Sequence, residues 1–220
     1  MIKRFSFGIA FAAGLTCMSS AGLINASFED PAEGAGQFTT GVQIPGWDTQ
    51  SGHPYGVWHI PYGGAFSGGA PDGLQIGYCD AGSMAQTATD VIGVGTNSIS
   101  ALAGRREDFS AGGFTMELWA GGVEANGGVT GGQLLASVTY DYTQFAPDSW
   151  TLETASYVAA ANDPNLGKAI TVEFVRTALS HQIDVDNVKV MAAPAPEPAS
   201  MIGLGLGVIA MVRRRCAKRA

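Results

Sequence analysis

The chain has 220 residues, with 12 Lys and Arg against 19 Asp and Glu, a formal net charge of −7 at pH 7, and 46% hydrophobic residues. Two of the bases stand at Lys3 and Arg4 and five after residue 212; the five between them face all 19 acids, so the central span carries −14. A field of that sign repels nucleic acid and anionic lipid and favours divalent cations, which argues against a nucleic-acid-binding role.

Lys3 and Arg4 form a positive n-region, Phe5 to Cys17 an apolar h-region, and Ser19-Ser20-Ala21 offers small residues for cleavage after Ala21. Residues 1–21 therefore read as a signal peptide for the Sec pathway. Lipidation at Cys17 fits less well, because Gly14-Leu15-Thr16 lacks the Leu and the small residue that usually precede a lipidated Cys. Cys17 and Cys216 lie in the terminal segments, so Cys79 is the one cysteine of the domain and reads as a buried small hydrophobe rather than a reactive thiol.

Residues 22–193 are enough for one domain with a full core. Glycine is dense, Pro, Asn and Asp turns recur, and no window of a dozen residues shows a helical stripe. Phe114, Met116 and Leu118 alternate with Thr115, Glu117 and Trp119, as Ile170, Val172 and Phe174 do with Thr171, Glu173 and Val175. Further strands are expected over Leu23–Phe28, Val57–Ile60, Leu74–Tyr78, Met84–Thr89, Ser98–Leu102, Leu134–Tyr140, Trp150–Val158 and Ile183–Val190. Ten or so short strands between Gly-rich turns predict an all-β, two-sheet jelly-roll sandwich. In the last strand the apolar register jumps from Ile183 and Val185 to Val188 and Val190, which predicts a bulge or a metal site at Asp186-Asn187.

Leu23-Ile24-Asn25-Ala26-Ser27-Phe28-Glu29-Asp30-Pro31, then Ile44-Pro45-Gly46-Trp47, and Ile183-Asp184-Val185-Asp186-Asn187-Val188 near the end resemble galactose-binding-like β-sandwiches, the fold of several carbohydrate-binding modules and DUF642-type wall proteins. The resemblance implies a structural calcium joining the first and last strands, with Glu29 and Asp186 as carboxylate ligands and backbone carbonyls completing the shell. Asp184-Val185-Asp186-Asn187 is no EF-hand, since it lacks the loop Gly and closing Glu.

Between Gly46 and Tyr78 aromatic and imidazole rings are dense: Trp47, His53, Tyr55, Trp58, His59, Tyr62 and Tyr78. Sugar sites need flat faces beside short polar groups, so Trp47, Tyr55, Trp58 and Tyr62 are the candidate ligand-binding residues; closing the core is the alternative fate of such rings. Arg105, Arg106, Glu107 and Asp108 read as a charged turn with local ion pairs, or as a bidentate reader of a carboxylate or acidic sugar. Enzyme signatures are absent: there is no G-x-S-x-G, H-E-x-x-H, C-x-x-C or phosphate-binding loop, and Gly203, Gly205 and Gly207 lie in an apolar run. His53, His59 and His181 form no motif, and a carboxylate pair for glycoside hydrolysis is open to any two acids the fold unites.

Residues 194–220 close the chain with Pro196-Glu197-Pro198, an apolar run from Met201 to Val212, and a basic cluster of Arg213, Arg214, Arg215, Lys218 and Arg219. The prolines hold the chain extended for an enzyme, and the positive cluster stays on the cytoplasmic side of a bilayer. Twelve helical residues rise roughly 18 Å against a hydrocarbon core of about 30 Å, which suits a temporary hold. The arrangement resembles the PEP-CTERM sorting signal of Gram-negative bacteria, and the resemblance implies cutting near Pro-Glu-Pro by an exosortase-type transpeptidase and delivery to the cell exterior. The expectation is an exported, non-catalytic sandwich, held briefly at the inner membrane and then associated with extracellular polysaccharide. The alternatives are a small glycan-active hydrolase and a purely structural matrix protein.

Overall fold

The computed structural model describes residues 22–61, 63–80, 82–107, 113–177 and 182–194. Twelve strands follow in chain order: β1 Asp48–Thr49, β2 Tyr55–His59, β3 Gln75–Asp80, β4 Ser83–Val91, β5 Gly95–Arg105, β6 Phe114–Ala120, β7 Val123–Ala125, β8 Gly128–Thr130, β9 Gln133–Tyr140, β10 Ser149–Ala159, β11 Ala169–Arg176 and β12 Gln182–Met191. Ten of them make two five-stranded antiparallel sheets, ordered β10-β5-β12-β3-β2 and β1-β4-β11-β6-β9. The domain is the jelly-roll sandwich the alternation predicts.

That alternation also decides what each face carries. Ile99, Ala101, Ala103, Val57, Cys79, Ile183 and Val185 meet Met84, Met116, Leu118, Val172 and Phe174 between the sheets. One residue along, Trp58, Ile76, Tyr78, Asp80 and Gln182 point away from that core, as Thr115, Glu117 and Trp119 do on the other sheet. A second, smaller cluster of Ile60, Ala65, Phe66 and Ile76, with Trp58 and Trp150 against it, covers part of the first sheet's outer face. Over the second sheet folds the hairpin of β7 and β8. Its two-residue turn is Asn126-Gly127, with φ of 53° and 79°, the left-handed pair that a primed turn demands.

Two expectations meet different outcomes. The bulge in the last strand is present: the β12–β5 register shifts between Asp186 and Lys189, Asn187 has φ 51°, and the Val188 amide leaves the ladder to donate to the Ala26 carbonyl. Leu23–Phe28, in contrast, is not a strand. Asn25 and Phe28 both take left-handed φ, 51° and 57°, and a turn closes from the Phe28 amide to the Asn25 carbonyl. The turn swings the Phe28 ring into the core, where it stacks on Trp47 at 5.2 Å between centroids, and burying that ring outweighs the extended propensity of the segment. No helix among the described residues is long and apolar enough to cross a membrane; the apolar run at 201–212 and the signal segment 1–21 lie outside the described residues.

Candidate functional site

The outer face of the first sheet holds a pocket of about 390 Å³. β2 contributes Trp58, β3 Tyr78 and Asp80, β12 Gln182, the residue just after β5 Arg106, and the segment before β1 Phe38 and Thr40. Strand register brings these together: Trp58 stands opposite Ile76 and Gln182 opposite Asp80, on the outward positions of neighbouring strands. Phe38 joins through a bridge to Trp58.

A chain of contacts fixes the polar groups. The Arg106 guanidinium lies over the Trp58 ring, 4.5 Å from its centroid, and donates to Gln182 Oε1 at 2.8 Å. Gln182 in turn donates through Nε2 to Asp184 Oδ1 at 2.8 Å. Tyr78 hydroxyl donates to the Thr39 carbonyl and lies 3.1 Å from Thr40 Oγ1. Phe38 is 62% exposed with its ring edge-on to Tyr78. The pocket thus pairs an open aromatic face with a preorganised cation, a carboxylate and hydroxyl groups, the equipment for a flat ligand with polar rims.

Of the three candidate ligand-binding residues among the described residues, only Trp58 lines this pocket. Trp47 is 1% exposed and packs on Phe28 and, at 5.8 Å, on Phe174, so its ring belongs to the core and cannot meet a ligand. Tyr55 sits on the opposite face of β2 from Trp58 and packs against the main core. Tyr62 lies outside the described residues. His59 Nδ1 is engaged by the Glu33 carbonyl at 2.7 Å, a structural use of the ring; His181 and Asp108 lie outside the described residues. Arg105 and Arg106 part company: Arg105 donates to the Phe145 carbonyl and lies over Tyr142, whereas Arg106 enters the pocket. Sequence reasoning missed Phe38, Thr40, Asp80 and Gln182. Phe38 in the Gly36-Gln37-Phe38-Thr39-Thr40 stretch was the available signal, since a large ring in a turn-rich segment has no strand to hide it.

Glu29 and Asp186 lie on one flank of the same sheet. Glu29 Oε1 accepts from the Leu74 and Gln75 amides, each at 2.9 Å. Asp186 is fully buried and accepts from the amides of Asp72 at 2.8 Å and Asn187 at 2.6 Å. Burial pushes its carboxyl up to about 7, and the negative charges of Asp72 and Glu29 add to the rise. No group of three or more His, Cys, Asp or Glu side chains among the described residues is arranged to hold a metal.

On the second sheet Glu173 of β11 stands opposite Glu117 of β6. Burial raises the Glu173 carboxyl to about 7 and the facing Glu117 raises it further. Glu117 accepts from Trp119 Nε1 at 3.0 Å, and β8 lies against Glu173, a Cβ on Gly128 falling 3.2 Å from its Oε1. These two acids are the cross-strand carboxylate pair that spacing alone could not reveal.

Fold and chain end together define an exported sandwich protein with a sorting tail. Residues 194–215 match the PEP-CTERM protein-sorting motif, which covers Pro196, Glu197, Pro198 and Arg213 to Arg215 and makes the chain an exported target of exosortase processing. Residues 20–191 match the HpiC1-like model, described as HpiC1 cyclase, and the chain belongs to the HpiC1-like family. No curated protein matches. Among solved structures, the Stig cyclase Fisc from Fischerella sp. TAU in complex with (3Z)-3-(1-methyl-2-pyrrolidinylidene)-3H-indole is 21% identical, with a TM-score of 0.66 over 80% of this chain and 98% of that one. A cyclase from Fischerella sp. TAU in complex with 4-(1H-indol-3-yl)butan-2-one is 20% identical, with a TM-score of 0.66 over 80% and 98%. An arabinose-bound α-L-arabinofuranosidase, MgGH51, is 16% identical, with a TM-score of 0.50 over 81% of this chain and 27% of that one. At these identities the likeness carries the fold. The family description is that of an enzyme, so the missing motifs do not make this chain non-catalytic.

Proposed function

We propose that this chain is an exported, exosortase-processed protein of the cell surface or extracellular matrix whose sandwich binds polysaccharide, without catalysis, in the pocket beside Trp58. The observation that carries this reading is the exposed Phe38 face set next to the Arg106–Trp58 stack and the Asp80, Thr40 and Tyr78 polar groups. Phe38 offers the ring on which a sugar's C–H face rests, and Arg106, Asp80 and Thr40 meet its hydroxyl rim. The test is retention of the exported protein on a panel of immobilised polysaccharides. Retention lost in Phe38→Ala but kept in Tyr55→Phe supports it; equal retention of wild type and Phe38→Ala on every polysaccharide refutes it.

A structural calcium belongs to the same reading. Asp186 and Glu29 supply carboxylate oxygens of the kind calcium prefers, each already drawn toward the same stretch by amides of residues 72–75. Backbone oxygens would complete the shell. Calcium there would supply the neutralising charge that ties the turn at 25–30 to the bulge of β12.

A second reading is favoured by the family itself: a cyclase-like activity in the same pocket, with a flat aromatic ligand resting on the exposed Phe38 ring and the Asp80 carboxylate at its rim. The Fischerella complexes contain indole-bearing ligands. An indole compound that displaces retained polysaccharide, or that is converted by wild type and not by Asp80→Asn, would favour this reading over a purely binding role.

A further inference from the structure

We propose that removal of the signal segment at the Ala21–Gly22 bond creates an α-ammonium at Gly22 that is captured by the Asp90 carboxylate, so that the processed chain end becomes a fixed part of the sandwich edge. This goes beyond the polysaccharide reading and stands on the export of the chain alone.

Residues 22–24 are held along β4 by both backbone and side chain. The Thr89 amide donates to the Gly22 carbonyl at 2.8 Å. Gln86, only 2% exposed, brackets Ile24 from both sides, accepting from its amide at 2.5 Å and donating to its carbonyl at 2.9 Å. The segment therefore reaches the Gly22 position in a set register rather than as a loose end.

At that position stands an acid in need of a partner. Among the described residues, Asp90 Oδ2 is buried without a hydrogen-bond partner. Burial raises its carboxyl, and no charged side chain among the described residues is a cause of that rise. A buried carboxylate oxygen without a donor costs about 1–3 kcal/mol or more, so a native protein that keeps one calls for a reason. Gly22 provides it. A Cβ built on Gly22 would overlap Asp90 Oδ2, so the backbone there lies directly against the acid's outer oxygen. By standard covalent geometry the Gly22 nitrogen lies within roughly 4–5 Å of that oxygen.

While Gly22 is joined to Ala21 its nitrogen carries one hydrogen and no charge. Hydrolysis breaks the Ala21 C–Gly22 N bond: water gives its hydroxyl to the Ala21 carbonyl carbon and its proton to the nitrogen, leaving a carboxylate on the released peptide and an ammonium on Gly22. No oxidant or reductant is involved. The new group brings three donors and a positive charge to a buried carboxylate oxygen that lacks a partner among the described residues, and charge-assisted bonds of this kind are the strong ones. The small residues Ser19-Ser20-Ala21 put the scissile bond at this place, and the fold independently marks the same residue.

The full chain is expressed in a Gram-negative host with Sec export and the exported product is collected. N-terminal sequencing is expected to start at Gly22; a start at any other residue overturns the proposal. Modification of the α-amine by an acetylating succinimidyl ester at pH 7 is then expected to be about tenfold slower in wild type than in Asp90→Asn, as one unit of raised amine pKa requires. Equal rates overturn it. If Asp90→Asn fails to fold, native and urea-unfolded wild type serve instead: a native amine about tenfold less reactive supports capture, and equal reactivity refutes it.

Discussion

The two sheets bury acids on their outer faces in opposite ways. Asp186 on the first sheet is met by two backbone amides, and Glu29, whose charge acts on it, is held on amides of its own. Glu173 on the second sheet faces Glu117 across the strand pair under the β7–β8 hairpin. Both carboxyls are pushed up to about 7, but the first accepts from two amides whereas the second faces another acid. The second face is a closed, proton-dependent seam. The proposed binding rests on the face where Phe38 stays open, while a raised acid stands on each face.

The largest effect that separates core from face comes from the two tryptophans. Trp47→Ala removes a fully buried ring between Phe28 and Phe174 and should cost about 3–5 kcal/mol, read as a drop in denaturant midpoint. Trp58→Ala, on the outer face, should cost less and abolish retention on polysaccharide by releasing Arg106. A Trp47→Ala protein that stays as stable as wild type would break the assignment of that ring to the core.

Next in size is the seam on the second sheet. Glu173 has a folded pKa raised above its unfolded value, so its contribution is fully present below about pH 4.5 and is lost as pH rises through about 7. Melting measured from pH 4 to 9 should show that loss in wild type, on the order of 2–3 kcal/mol. Glu173→Gln should remove its share of the fall, leaving that of Asp186, and be the more stable protein at pH 8. An unchanged slope in the variant would remove Glu173 as its source.

Much of this arrangement was legible in the residues. Period-two alternation placed β6 and β11 closely, and the register jump after Val185 marked the bulge at Asp186-Asn187, because a slipped apolar pattern has no other cheap explanation in a buried strand. The cross-strand meeting of Glu117 and Glu173 was not legible, since pairing depends on which strands become neighbours. Nor was the fate of the rings: Trp47 and Trp58 both follow glycine-rich stretches, and only the turn at Asn25 to Phe28, which carries Phe28 under Trp47, decides that one is core and the other a wall. Phe38 escaped notice because an isolated ring outside any strand has no periodic signal.

Calcium sharpens the contrast between the two acids. Bound near Asp186 and Glu29, it should stabilise the fold by about 2.7 kcal/mol at a hundredfold excess over Kd, read as a raised melting temperature, most clearly above pH 7 where the Asp186 carboxyl is ionised. Chelator should reverse the gain, and Asp186→Asn should abolish it while Glu173→Gln leaves it intact. A melting temperature indifferent to both calcium and chelator would leave Asp186 as an acid held by amides alone.

The smallest change in stability should accompany a clear change in binding, and Phe38 is where that separation is cleanest. Its ring is 62% exposed and touches the fold mainly through the edge of Tyr78, so Phe38→Ala should move stability by no more than about 0.5 kcal/mol. An aromatic contact with a ligand is worth about 0.5–1.5 kcal/mol beyond its area, so the same variant should weaken retention on polysaccharide by roughly tenfold at the upper end. Arg106→Lys should fall between the two. The ammonium keeps the charge but not the planar group that covers Trp58 while donating to Gln182, so both the ring's orientation and the pocket's donor set are lost together. If Phe38→Ala instead lost stability and kept binding, the open ring would be a packing element and the pocket's ligand would rest on Arg106 and Asp80 alone.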